Sequence, residues 1–250
     1  MKKRFKLLLI LAVFNLFLIL SGGCDKSSSP EDQQISFNNF IKDVFVEEAT
    51  SDTLSLNYTL ASPENYGIDN TEITLGEYTI NQMNEDLKST EKHLKELKRF
   101  DYDLLTESQQ LTYDIMLYSY EEELELGSYL YYFDILGPTT GLQAQLPILL
   151  AEYNFYDKDD FETYLKLLPC VYDYFEDIVE FEKEKSKKGL FMSDAVVDGI
   201  IEQCNSFVDN PEQNLLIEYF DERINAYDGL TQQEKESYKK NNKEKVLKYI

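Results

Sequence analysis

A chain of 250 residues, of which 43% are hydrophobic, is long enough to bury the core of one ordinary domain or two small ones. It carries 47 acidic against 24 basic side chains, for a formal net charge of −23 at pH 7. Because such a field repels phosphate backbones, we expect no nucleic-acid partner. The acidity favours a surface that keeps an exported protein soluble.

The first 23 residues are typical of a secretory signal rather than of folded structure. Residues 1–6 are basic, residues 7–20 form an apolar run that is short for a membrane span, and the small residues 21–23 precede Cys24. This arrangement resembles the bacterial lipobox. The resemblance implies cleavage before Cys24, acylation there with chains such as palmitate, and anchoring to the extracytoplasmic face of the cell membrane. The alternatives are an uncleaved anchor and cleavage without lipid.

The polar residues 24–34, which include SSSP and EDQQ, predict a flexible tether. Residues 35–250 predict a helical domain, because apolar side chains recur at intervals of three and four. The expected fold is therefore all-α, an array of amphipathic helices. One stretch instead alternates with period two, at Leu54, Leu56, Tyr58 and Leu60. Because it has no evident partner strand, we expect a packed extended segment there.

The stretch from Phe133 to Val179 is the centre of the predicted array. Gly137–Gly141, with the sequence GPTTG, predicts a defined turn, and residues 142–153 predict a short segment buried on every side. The apolar stripe that follows passes through Pro169 without losing phase, which predicts one long helix kinked at that proline. Gly189 is expected to end this helix.

Several acidic groups are explained without a metal. Asp157 and Asp160 lack the spaced ligands and turning glycine of a calcium loop, so they predict an N-cap and a first turn favoured by the helix dipole. The acids within residues 121–125 are nearly consecutive, so they cannot face one site on a helix and predict a solvated face. Capping boxes are also predicted at Thr106–Gln109 and Thr231–Glu234.

The sequence offers few groups for catalysis. His93 is the only histidine and lies among charged residues beside an apolar stripe, which predicts a solvated surface position. A single histidine cannot build the His-Glu-x-x-His helix of a zinc peptidase. Cys170 and Cys204 are expected to be two buried thiols or at most one disulfide. We predict no catalytic, cofactor-binding or metal residue and no cofactor in this chain; Cys24 is the one modification site.

A family resemblance extends from about residue 37 to residue 250 and is firmest across residues 134–208. Its motifs are GPTTGLQAQLPILLAEYNF, then DKDDFETYLKLLP, then Gly189 and the helix MSDAVVDGIIEQCNSF. In this order they resemble a bacterial family known as domain of unknown function 885. The resemblance implies an all-helical lipoprotein of about twice this length. Many members look like zinc metallopeptidases, with the His-Glu-x-x-His helix in their C-terminal half.

Two functions are therefore expected from the sequence. In the first, the chain is the N-terminal portion of a membrane-anchored, metallopeptidase-like protein and is not catalytically complete alone. Zinc then belongs to full-length relatives, a peptide substrate requires the C-terminal half, and the turn Gly137–Gly141 could line a groove. In the alternative, the chain is a complete lipid-anchored helical module for binding or scaffolding.

Overall fold

The computed structural model describes residues 29–250, and all regular structure within that range is helical. The predicted all-α class is confirmed. The signal sequence and Cys24 lie outside the described residues. None of the helices in the described part of the chain is long and apolar enough to cross a membrane.

The α-helices follow one another through the whole described range. They are α1 (Pro30–Ala49), α2 (Thr53–Thr59), α3 (Ile80–Leu97), α4 (Glu107–Leu126), α5 (Leu142–Ala151), α6 (Lys158–Leu167), α7 (Cys170–Lys187), α8 (Asp194–Val208), α9 (Leu215–Ala226) and α10 (Gln232–Tyr249). Short 3₁₀ turns lie at Pro63–Tyr66, Tyr102–Leu104, Gly127–Tyr132 and Pro211–Gln213.

Helix α1 begins inside the stretch that the sequence predicts to be a tether. Ser29 is its N-cap, and the Ser29 hydroxyl accepts a hydrogen bond from the backbone N–H of Asp32 at 3.1 Å. The Asp32 carboxylate accepts one from the backbone N–H of Ser29 at 3.3 Å, which completes a capping box. Residues 30–34 are therefore helical rather than flexible, and the earlier part of the expected tether lies outside the described residues.

The period-two stretch forms helix α2, so the prediction of an extended segment is wrong. The Asp52 carboxylate caps the helix by accepting hydrogen bonds from the backbone N–H groups of Leu54 and Ser55 at 2.8 and 2.9 Å. Asn57 is buried on the same face as Leu54, and its side-chain amide exchanges two 2.9 Å hydrogen bonds with the backbone of Asn154. The N-cap at Asp52 and the buried contact of Asn57 thus stabilise a helix, although the apolar residues alternate along the sequence.

The buried apolar side chains form two clusters. The smaller one joins α1, α3 and α4 around Phe37, Phe40 and Leu97. The larger one joins α5, α6, α7, α9 and α10, and its centre is a group of aromatic rings; the ring centroids of Phe155 and Phe161 lie 4.3 Å apart. This second cluster is the platform that holds the candidate site.

The predicted proline kink is confirmed at the junction of α6 and α7. Leu168 and Pro169 keep right-handed helical backbone angles, so the chain continues from α6 into α7 across a local break in the hydrogen-bond ladder. Gly189 follows α7 with a positive φ of 74°, and the backbone N–H of Leu190 donates to the carbonyl of Lys185 at 3.2 Å. This confirms the predicted glycine termination.

The predicted helix-terminal roles of the acids are confirmed as well. Asp157 and Asp160 form a reciprocal capping box at the start of α6. Capping boxes also start α4 and α10, at Thr106–Gln109 and Thr231–Glu234. The four acids at positions 121, 122, 123 and 125 are exposed, and Glu121 pairs with Lys98 at 2.7 Å.

Candidate functional site

The turn at Gly137–Gly141 is closed by its own backbone. The Gly141 N–H donates to the Gly137 carbonyl at 3.1 Å, and the Leu142 N–H donates to the Ile135 carbonyl at 2.9 Å. A Cβ on Gly141 would lie 2.1 Å from both the Gly137 nitrogen and the Gln143 side-chain oxygen. Close approach, not a left-handed backbone, therefore requires glycine at position 141, where φ is −70°.

Two glutamine side chains tie this turn to helix α8. The buried Gln143 donates through Nε2 to the Gly137 carbonyl at 2.6 Å and to Gln203 Oε1 at 2.8 Å. Gln203 in turn donates through Nε2 to the Pro138 carbonyl at 2.6 Å. The start of α5, the turn and the middle of α8 are thus held in one polar network, which fixes the spacing between α5 and α8.

An apolar groove with a cavity volume of about 740 Å³ lies between α5, α7 and α8. Pro147 and Leu150 contribute one wall, Phe175 and Val179 a second, and Val208 a third. Pro147 lies inside α5 and cannot donate a backbone hydrogen bond, so it interrupts the helix ladder at the groove surface. Ile148, in the same helix, is exposed. The prediction that residues 142–153 are buried on every side is therefore wrong at Ile148.

The charged side chains of the groove already have partners. Lys183 pairs with Glu180 at 2.6 Å, and Glu176 accepts a hydrogen bond from the Tyr172 hydroxyl at 2.9 Å. Asp177 accepts one from the backbone N–H of Tyr78 at 3.2 Å. These groups do not converge on one point, so the groove is suited to holding an apolar surface rather than to acid–base chemistry.

The described residues do not fit a catalytic zinc. Among residues 29–250, no group of three or more His, Cys, Asp or Glu side chains is arranged to hold a metal ion. His93 is the only histidine of the chain. A peptidase zinc commonly takes two histidines and a carboxylate or a third histidine, so the required donor set is not assembled here.

His93 is buried, and the prediction of a solvated position is wrong. The residue is 7% exposed, its Nε2 lies 3.2 Å from Glu47 Oε2, and its ring contacts the rings of Phe40 and Tyr120. The residue joins α1, α3 and α4. His93 therefore packs against the smaller cluster and does not line the groove.

The two described cysteines are free thiols. Cys170 is half-buried, and Cys204 is exposed and lines the groove. Neither thiol is fully buried, so the prediction of two buried thiols is wrong. Partial burial raises the pKa of both thiols, which disfavours the thiolate. Neither is therefore activated as a nucleophile.

Sequence reasoning anticipated the turn but missed the glutamines that hold it. Gln143 is a polar residue at the start of a nearly all-apolar helix, and a buried polar residue in such a segment needs a partner. That placement was a usable signal for Gln143. Gln203 carried no comparable signal, because it lies among polar and apolar neighbours on an ordinary amphipathic helix.

The chain belongs to the family described as "Bacterial protein of unknown function (DUF885)", whose model matches residues 63–250. Its fold is similar to that of a "putative lipoprotein" from Colwellia psychrerythraea, whose crystal structure superposes with a TM-score of 0.65 at 17% sequence identity. The match covers 88% of this chain and 39% of that one, so this chain spans less than half the length of its structural relative. No curated protein matches the chain in sequence.

Proposed function

We propose that this chain is a lipoprotein anchored through Cys24 to the extracytoplasmic face of the cell membrane, and that its helical domain is the N-terminal part of a metallopeptidase-like protein. It is not catalytically complete alone. Zinc and the groups that act on a peptide substrate are supplied by a C-terminal half. The observation that carries the proposal is the unequal match to the structural relative, 88% of this chain against 39% of the other.

The exposed apolar surface of the groove supports this proposal. Its walls expose Val179 and Val208 to solvent, although both are apolar and lie on well-formed helices. Exposed apolar surface of this kind favours burial against another polypeptide surface. Tyr249 and Ile250 line the same groove, so an element supplied by a C-terminal half has a short path to it. In this arrangement the domain forms one wall of a substrate cleft.

Metabolic labelling with a radioactive fatty acid in a bacterial host tests the anchor. We expect label in the wild-type chain and in Cys170→Ser, because Cys170 is inside the folded domain. Cys24→Ser should lose the label and leave the membrane fraction. Label retained in Cys24→Ser would refute lipidation at this position.

The reading frame downstream of codon 250 tests the remainder of the proposal. We expect it to continue and to encode a His-Glu-x-x-His helix. A stop codon directly after codon 250 would refute it and would leave the alternative function.

The alternative is a complete lipid-anchored module for binding or scaffolding, and the apolar groove of about 740 Å³ is the observation that favours it. A complete module should unfold in one cooperative transition and remain monomeric in solution. A chain that exposes an interface meant for a missing half should associate through it or unfold with low cooperativity.

A further inference from the structure

A second pocket lies beside the groove, further along α7, where the C-terminal half of this helix faces the first half of α8. It has a volume of about 340 Å³ and apolar walls. The apolar side chains come from four segments and include Leu136, Val179, Phe191, Val197 and Ile201. Phe191 and Ile201 are exposed, so the pocket opens to solvent.

Glu182 is the one buried acid on the wall of this pocket. Its side chain is 6% exposed, and neither carboxylate oxygen accepts a hydrogen bond from any residue in the range 29–250. Burial raises the pKa of this carboxyl. A buried carboxylate without a partner is costly, and the cost falls when a cation or a donor reaches it.

Lys185 is near enough for its charge to act on Glu182, but its ammonium is hydrogen-bonded elsewhere. Lys185, which is 1% exposed, donates to the carbonyl of Phe133 at 2.8 Å and pairs with the carboxylate of Asp134. Lys183, which also lines the pocket, is paired with Glu180. The cluster of Glu182, Lys185 and Asp134 therefore carries one net negative charge when all three are ionised, and a single positive charge would neutralise it.

We propose that this pocket binds an aliphatic primary ammonium group. The carbon chain lies against the apolar walls, and the ammonium pairs with Glu182. The apolar walls provide no further ligands for a divalent metal, and the carboxylate repels an anion. A lysine side chain of a partner peptide and a small free alkylamine share this chemistry. The inference stands on Glu182 and its surroundings and does not depend on the proposed function.

Isothermal titration calorimetry on the full chain tests the proposal with hexylammonium, hexanoate and hexan-1-ol. We expect hexylammonium to bind at least about tenfold more tightly than the other two, because only it pairs with the carboxylate. The variant Glu182→Gln should remove this preference. The control Asp173→Asn changes an exposed acid on the same helix, away from the pocket, and should preserve it. Equal affinities for hexylammonium and hexan-1-ol in the wild type, or a preference that survives in Glu182→Gln, would overturn the proposal.

A second measurement uses the wild-type chain, so its result does not depend on whether the variant folds. The groups that face Glu182 are Lys185, Asp134 and the hydroxyl of Tyr78. Burial raises the pKa of Glu182, so hexylammonium affinity should fall as the pH decreases and Glu182 takes up a proton. Affinity unchanged down to about pH 4 would contradict the proposal. Tight binding of Nα-acetyl-lysine methylamide would identify a peptide side chain as the source, and binding of hexylammonium alone would identify a small amine.

Discussion

Gln143 and Gln203 join their side-chain amides at 2.8 Å, and between them they also bind the carbonyls of Gly137 and Pro138. This polar contact between α5 and α8 therefore holds both the shape of the turn and the width of the groove. Neither helix could move away from the other without breaking it. The first two predictions concern this network.

Replacing Gln203 by Met keeps the side-chain length and removes both of its hydrogen bonds. We expect the free energy of unfolding to fall by about 1–2 kcal/mol, because the buried amide of Gln143 loses one acceptor and the Pro138 carbonyl loses its donor. Hydrogen exchange of the Gly141 and Leu142 amides should also become faster. Asn205→Ala, an exposed change on the same helix, is the control. Unchanged exchange in the turn would show that the network does not hold it.

Gly141→Ala should be much more harmful than Gly137→Ala. A Cβ at position 141 would lie 2.1 Å from the Gly137 nitrogen, whereas a Cβ at position 137 meets no atom within 4 Å. We expect a loss of about 1–3 kcal/mol for the first substitution, typical of overpacking, and a small change for the second. Chemical denaturation of the two variants measures the difference. Equal stabilities would mean that the turn has another conformation.

Glu182→Gln should change how stability depends on pH. Burial raises the pKa of Glu182 in the folded chain, so the folded state resists ionisation more than the unfolded state does. The contribution of Glu182 to the free energy of unfolding of the wild type therefore decreases as the pH rises. The decrease extends from the pKa in the unfolded chain, about 4.3, through the raised pKa in the folded chain.

The difference in unfolding free energy between Glu182→Gln and wild type should accordingly shift in favour of the variant across that interval. Urea denaturation at several pH values measures it, with Asp173→Asn, an exposed change on the same helix, as the control. A difference that stays constant with pH would show that the carboxyl is already compensated in the folded chain.

Leu165→Ala tests the larger cluster, which supports the groove. Leu165 is 1% exposed and lies at the centre of that cluster, so its truncation should destabilise the fold by about 2–5 kcal/mol. Leu111, on α4, is 62% exposed, and Leu111→Ala should change stability by no more than about 0.5 kcal/mol. Thermal or urea denaturation compares the two, and similar losses would contradict the assignment of the core.

Local patterns in the sequence predicted most of the architecture. Three-four spacing identified the main helices, Pro169 the kink and Gly189 the end of α7, because each depends on residues near one another in the chain. Helix α2 was not predicted because the alternation of apolar and polar residues indicated an extended segment, although Asp52 is a suitable N-cap. The burial of His93 was missed because it depends on α1 and α4, and charged neighbours along the chain do not report on those contacts.

The candidate site was less accessible to such reasoning. The turn at Gly137–Gly141 could be located, since glycine and proline act locally. The pairing of Gln143 with Gln203 joins residues 60 positions apart, and the isolation of Glu182 results from packing between α7 and the segments around it. Long-range contacts of this kind follow from the assembled core and not from the spacing of residues along the chain.

The proposal that the 250-residue chain is not catalytically complete alone can be tested directly by assaying the purified chain. Hydrolysis of a diverse peptide mixture, with zinc supplied and with a chelator added, should be measured by mass spectrometry. We predict no hydrolysis that the chelator abolishes, because the described residues assemble no zinc donor set. Chelator-sensitive cleavage of peptides by the chain alone, restored by zinc, would contradict the account.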